Sequence, residues 1–157
     1  MLTPDDLEKA FASTGAVLGG VTAEQMDLDT PCQSWKVRDL VNHIVGAAAH
    51  FGQCAELGHP PDSEDTTDYA AGAFEATFND AAVATVEAFR AEGTLEKIIH
   101  LPFGDFPGAA YMNIATGDTF THGWDLARAI GQPTDLDPAL AAKILDTVRP
   151  MLPDAFR

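Results

Sequence analysis

The sequence predicts an all-α fold, a four-helix bundle followed by one additional C-terminal helix. Three observations lead there. Apolar residues recur at spacings of three and four, the period of one helical face, through four long segments. Proline, glycine and short polar side chains punctuate the boundaries, and only Thr94 to Gly108 breaks the helical pattern. Helices that each carry one apolar stripe bury it by packing against one another.

In the first segment Leu7, Phe11, Leu18 and Val21 mark one face. Thr3-Pro4-Asp5-Asp6 starts it, with proline early and acids near the positive end of the helix dipole, and Gly19-Gly20 weakens its far end. In LDTPCQSWKVRDL, Pro31 blocks continuation and Ser34 is the expected N-cap of a second helix running from Trp35 to Leu57. Val37, Leu40, Val41, Ile44, Ala48, Phe51 and Ala55 give that helix a wide apolar face. The acidic, proline-containing run GHPPDSEDTTDY, Gly58 to Tyr69, is an exposed connection, either simply solvated or a flap over a site. Phe74, Phe78, Ala82, Thr85 and Phe89 stripe a third helix that ends near Gly93. The stretch LEKIIHLPFGDFPG then reads as an irregular crossover with a short extended piece at Ile98 to Leu101. A fourth helix fills PGAAYMNIATGDTFTHGWDLARAIGQP and stops at Gly131, with Pro133 just beyond. Asp137-Pro138 supplies an N-cap and first-turn proline for the last helix, which carries Leu140, Ile144, Val148 and Met151 on one side.

A chain of 157 residues, 46% hydrophobic and 21% charged, is sized for one domain with a real core, so residues 1–157 are read as a single unit. The N-terminus MLTPDDLEKAF lacks a basic region and an apolar signal core, and no apolar run reaches 18 residues, so a cytoplasmic protein is expected. Nine Lys+Arg against 24 Asp+Glu give a formal charge of −15, which repels phosphate backbones and anionic lipid. Nucleic acid and membrane are therefore set aside as partners, and a small molecule is expected. The sequence leaves monomer and homodimer both open. If Trp35 to Leu57 is one helix, Cys32 and Cys54 lie roughly 28 Å apart by the helical rise. Bridged Cα atoms sit within about 7 Å, so both thiols should be free.

The chemistry concentrates in the fourth helix. Tyr111, Ile114, Ala115, Asp118, His122, Asp125 and Ala129 recur at helical spacing, so Asp118 and His122 interrupt a stripe that would otherwise be core. Charged groups are seldom buried without a partner or a metal, and residues four apart share a helix face. An aspartate and a histidine so placed can grip one divalent ion. In the second helix His43, Ala47, His50 and Cys54 follow at spacings of four, three and four along the edge of the apolar face. His43 and His50 are about 10.5 Å apart along the axis, so one ion cannot take both. His43, near the middle of the helix, is the expected third ligand, and His50 with Cys54 is an alternative chelating pair. Asp125 can orient His122 by accepting from its imidazole, or pair with Arg128. Trp35 and Trp124 read as packing residues, and Gly117 and Gly123 as points where a neighbouring helix or ligand comes close. His59 and His100 are assigned nothing. Two histidines and a carboxylate suit Zn²⁺ first, with Ni²⁺ or Fe²⁺ as the other choices, and three protein ligands leave positions open for water or substrate.

The motifs TPCQSWKVRDLVNHIVG, Thr30 to Gly46, and DTFTHGWDLARAIGQP, Asp118 to Pro133, resemble the DinB/YfiT-like superfamily. Within it they are similar to actinobacterial proteins related to the N-terminal domain of mycothiol-dependent maleylpyruvate isomerase. The resemblance implies a four-helix bundle holding a divalent metal through a histidine of the second helix and an acid-xxx-histidine pair on a later one, which places the ligands at His43, Asp118 and His122. That family usually carries glutamate where this chain has Asp118, one methylene shorter. It also implies mycothiol as cosubstrate, with an electrophilic small molecule as the second reactant. The isomerase has a further C-terminal domain, whereas this sequence ends at Arg157, so thiol transfer is expected ahead of maleylpyruvate isomerisation. Hydrolysis by metal-activated water, and a non-catalytic metal-binding bundle, are the two alternatives.

Overall fold

The computed structural model describes residues 1–151, with the side chain of Met151 and residues 152–157 outside that description. Helices α1 (Pro4–Leu18), α2 (Val37–Leu57), α3 (Phe74–Arg90), α4 (Gly108–Ile130) and α5 (Pro138–Val148) carry most of the chain. They end where the local chemistry stops them. Asp6 accepts from the Thr3 backbone N–H at 2.8 Å to start α1, and Asp137 accepts from the Leu140 N–H at 2.9 Å to start α5. Gly58 (φ 81°) and Gly131 (φ 74°) close α2 and α4 in the left-handed conformation that side chains resist.

Two expectations need correcting. The fold is mostly helical rather than purely α, because Ile98–Leu101 (β1) and Gly104–Pro107 (β2) form an antiparallel hairpin between α3 and α4. The extended piece at Ile98 to Leu101 thus finds a partner that the glycine and prolines of the second strand conceal. Alternation along β1 buries Ile99 and Leu101 and leaves Ile98 and His100 outside. The second helix begins at Val37 instead of Trp35, and Ser34 does not cap it. Asp29 and Lys36 bridge in extended conformation, and the Lys36 N–H donates to Asp39 at 2.9 Å, so the chain stays out of the helix until Lys36.

The largest helix contacts are α2 on α3 and α1 on α4, and α1–α3 and α2–α4 contacts close the ring; α5 leans on α4 and α1. Leu7, Leu40, Phe78, Phe89, Met112 and Leu126 fill the middle with almost no exposure, each contributing roughly 1.5–3 kcal/mol by leaving water. Both main seams use one device. In the α1–α4 seam a Cβ on Gly123 would sit 2.3 Å from Thr14 Oγ1, which donates to the Thr119 carbonyl at 2.9 Å. In the α2–α3 seam a Cβ on Gly52 would sit 2.4 Å from Thr85 Oγ1, which donates to the Ala48 carbonyl at 2.6 Å. The glycine admits the neighbouring backbone, and the threonine hydroxyl meets the carbonyl four residues earlier. Gly117 differs, because the nearest neighbour to a Cβ there is Ile144 Cγ2 at 3.9 Å.

Candidate metal centre

The α2–α4 contact carries the polar cluster. Asp118 and His122 lie one turn apart on α4, and His43 reaches them from the facing side of α2. One ligand atom from each lies within 4.8 Å of the other two. Asp118 Oδ2 is 3.5 Å from His43 Nε2, and Asp118 Oδ1 is 3.6 Å from His122 Nε2. The three side chains are only 20% to 33% exposed, half sheltered yet reachable.

The second nitrogen of His122 fixes how the ring presents itself. Asp125 accepts from His122 Nδ1 at 3.1 Å, which leaves Nε2 facing Asp118. His43 Nε2 is enclosed and has no hydrogen-bond partner among the described residues. A carboxylate and two imidazole nitrogens facing one another across such short gaps offer the O and N donors that divalent metals take. The donor set therefore fits a metal ion.

The loop before α2 builds the wall of this site. Thr30 Oγ1 donates to the Trp35 carbonyl at 2.8 Å and accepts from the Cys32 N–H at 3.1 Å, closing residues 30–35 into a tight turn. The turn lays the Trp35 indole against both candidate-ligand imidazoles, with ring centroids 4.9 Å from His43 and 5.8 Å from His122. It also carries Cys32 Sγ to 3.5 Å from Asp125 Oδ2. Burial pushes the Cys32 thiol pKa up, and the Asp125 charge adds to it, so the sulfur stays protonated and donates. Cys32, His122 and Asp125 also have ligand atoms within 4.8 Å of one another, but Asp125 already holds both neighbours by hydrogen bonds. Sequence reasoning assigns Cys32 no role and reads Trp35 as packing. Their presence in the TPCQSW motif is the signal, but its meaning depends on a loop closing onto a distant helix.

The remaining candidates lie elsewhere. Asp125 turns to His122 and Cys32, while Arg128 sits over the Trp124 ring, 5.8 Å from its centroid. His50 Nε2 pairs with Cys54 Sγ at 3.3 Å, and burial lowers the His50 pKa and raises that of Cys54. The two cysteines are therefore free and occupied by different partners. His59 Nδ1 donates to its neighbour's carbonyl, and His100 faces Asp105 across the hairpin at 2.9 Å.

Two cavities reach the centre. A cleft of about 680 Å³ between α4 and α5 has Asp118 and His122 in its wall, together with Ile114, Trp124, Ile144 and Leu145. A second cavity, about 1040 Å³, lies between α2 and the Gly58–Tyr69 connection, where His43, Asn42, His50 and Gln53 face Glu64 and Asp65. The acidic run is thus largely exposed, as a solvated connection is, and also roofs this second cavity.

The family model of the mycothiol maleylpyruvate isomerase N-terminal domain matches residues 7–127, a span that includes every residue of the cluster. The chain belongs to this family. Two uncharacterized proteins of Mycobacterium tuberculosis, Rv0738 and MT0763, are each 36% identical to it over 96% of this chain and 79% of their own length. Among solved structures, a DinB-like protein of Bacillus subtilis superposes with a TM-score of 0.64 at 16% identity, covering 83% of this chain and 92% of that one. That likeness carries the fold alone, and it places the helical arrangement of this chain among DinB-like folds.

Proposed function

We propose that this member of the mycothiol maleylpyruvate isomerase N-terminal family is a four-helix, divalent-metal-binding protein that acts on a low-molecular-weight thiol, as a metal-dependent S-transferase or isomerase. The carrying observation is the convergence of His43, Asp118 and His122, with His43 Nε2 enclosed, 3.5 Å from Asp118 Oδ2 and without a hydrogen bond from the described residues. Zn²⁺ is the first candidate for such a ligand set, with Ni²⁺ and Fe²⁺ behind it. When bound, a divalent ion supplies positive charge that lowers the pKa of a nearby thiol.

The protein's own residues prepare that site. Asp125 holds His122 in the tautomer that offers Nε2, and Cys32 secures Asp125 from behind. Trp35 shields both imidazoles on one side. The two cavities then supply separate approaches for a thiol and an electrophile. Family membership supports mycothiol as the thiol.

The test is elemental analysis of protein purified without added metal, followed by thiol titration. One divalent ion per chain is expected, and His122→Ala should lower occupancy at least tenfold with helix content unchanged. Full retention of metal in that variant would refute the ligand set. Mycothiol should perturb the spectrum of the cobalt-substituted protein, and a spectrum indifferent to thiol would leave only a structural metal.

A further inference from the structure

We infer that the α4–α5 cleft binds the second reactant, and that this reactant is an uncharged, largely apolar molecule with one neutral hydrogen-bonding group, not a carboxylic acid. Its role as a reactant rests on the metal-thiol reading proposed for the centre, whereas the binding site itself does not. The cleft opens directly onto Asp118 and His122, and the rest of its wall is almost wholly hydrocarbon and aromatic, with Ile114, Phe120, Trp124, Ile144, Leu145 and Val148 contributing. Its volume of about 680 Å³ suits a small organic ligand.

Charge decides the class of ligand. Among the described residues no lysine or arginine lines the wall, and the one acidic side chain there is Asp118. Of the cations near the cleft, Lys143 pairs with Asp6 and Arg128 is stacked on Trp124, while Arg149 follows Val148 at the end of the wall. A carboxylate entering the metal-free cleft would lose water with no countercharge among the described wall residues to replace it, a cost that an uncharged molecule avoids. Two uncharged polar residues, Asn113 and the exposed Thr121, complete the wall. Asn113 lines the cleft, and its Oδ1 is enclosed and receives no hydrogen bond from the described residues. A hydroxyl or amide on the ligand would satisfy it.

The other cavity likewise shows no lysine or arginine among its described lining residues, but it is the more polar of the two. It reaches the centre from His43, and its wall includes amides, hydroxyls and the carboxylates of Glu64 and Asp65. A polyhydroxylated thiol belongs there, which leaves the apolar cleft to its partner.

Gly117 provides a clean test. It lies in the cleft wall, and a methyl placed on it would stand 3.9 Å from Ile144 Cγ2, so a larger side chain grows into the cleft rather than into the core. Replacing a mid-helix glycine also favours the helix. Binding of 2-naphthol, 2-naphthoate and maleate should be measured by tryptophan fluorescence and calorimetry on metal-free and metal-loaded protein. We expect 2-naphthol to bind at least tenfold tighter than either acid in the metal-free protein. Gly117→Leu should weaken 2-naphthol at least tenfold while keeping its metal content, and Leu145→Arg, at an exposed position in the cleft wall, should narrow the gap between naphthol and naphthoate. Acids that bind metal-free protein as well as naphthol does, or naphthol binding indifferent to Gly117→Leu, would overturn the inference. Selective naphthol binding by a protein that takes up no metal would uphold the cleft and instead defeat the metal reading.

Discussion

At the scale of single residues, the centre depends on which atom of each side chain is already engaged. His122 has two nitrogens, and Asp125 takes one of them, so the other is committed to the space beside Asp118. Removing the charge on Asp125 should loosen this arrangement without dismantling it. Asp125→Asn is expected to weaken metal binding roughly tenfold, the lower end of what partners of ligating histidines contribute. Cys32→Ser keeps a donor facing Asp125 and should change affinity less than twofold, measured by competition with a chelating dye. A loss as large as that of His122→Ala would mean that Cys32 itself is a ligand. His50 carries a different prediction, because burial lowers its pKa below 6.5 in the fold. A group whose pKa falls on folding adds stability that is complete above its unfolded value and is lost as pH drops toward its folded one. Stability should therefore decline as pH falls below about 6.5, and chemical denaturation of His50→Gln over the same window should show a shallower decline.

At the scale of elements, the two glycine–threonine seams are alike in form but not in what depends on them. Gly123 follows His122 directly, whereas Gly52 lies more than two turns beyond His43 along α2. A methyl at either position must displace a threonine hydroxyl and its neighbouring backbone, and such overpacking costs typically about 1–3 kcal/mol. Gly123→Ala and Gly52→Ala should both lower the urea midpoint by comparable amounts, but only Gly123→Ala should reduce metal occupancy; equal occupancy in the two would show that the α1–α4 seam does not set the site. Elements like these were legible where the signal is local. Thr3-Pro4, Gly131 and Asp137-Pro138 marked helix ends because caps and turns are read from adjacent residues. Asp118 and His122 could be paired because helical periodicity puts spacing into one dimension, whereas His43, on another helix, was added from its place near the middle of the second helix and from the family resemblance. Strand β2 stayed hidden because Gly104 and Pro107 argue against a strand, and only pairing with β1 overrides them. The Cys32–Asp125 contact spans 93 residues, and no local pattern carries it.

At the scale of the molecule, the charge of −15 acts on everything at once. Like charges on a compact surface repel, which destabilises the fold, and the same field draws divalent cations toward the half-sheltered Asp118. Both effects operate over distances that salt shortens, from a screening length of about 10 Å at 0.1 M to about 3 Å at 1 M. Contacts inside the centre are short and sheltered, with Asp118 3.5 and 3.6 Å from the two imidazoles, so screening should hardly touch them. The two consequences therefore separate. Raising sodium chloride from 0.1 to 1 M should increase the melting temperature of the metal-free protein, since repulsion is relieved while the apolar core is unaffected. It should also slow metal association severalfold and leave dissociation nearly unchanged, because steering is long-ranged and coordination is not. Stopped-flow mixing with Zn²⁺ and a chelator chase measures the two rates independently. A dissociation rate that rises with salt as steeply as association falls would mean that the ion is held by the diffuse field of the acidic surface instead of by His43, Asp118 and His122.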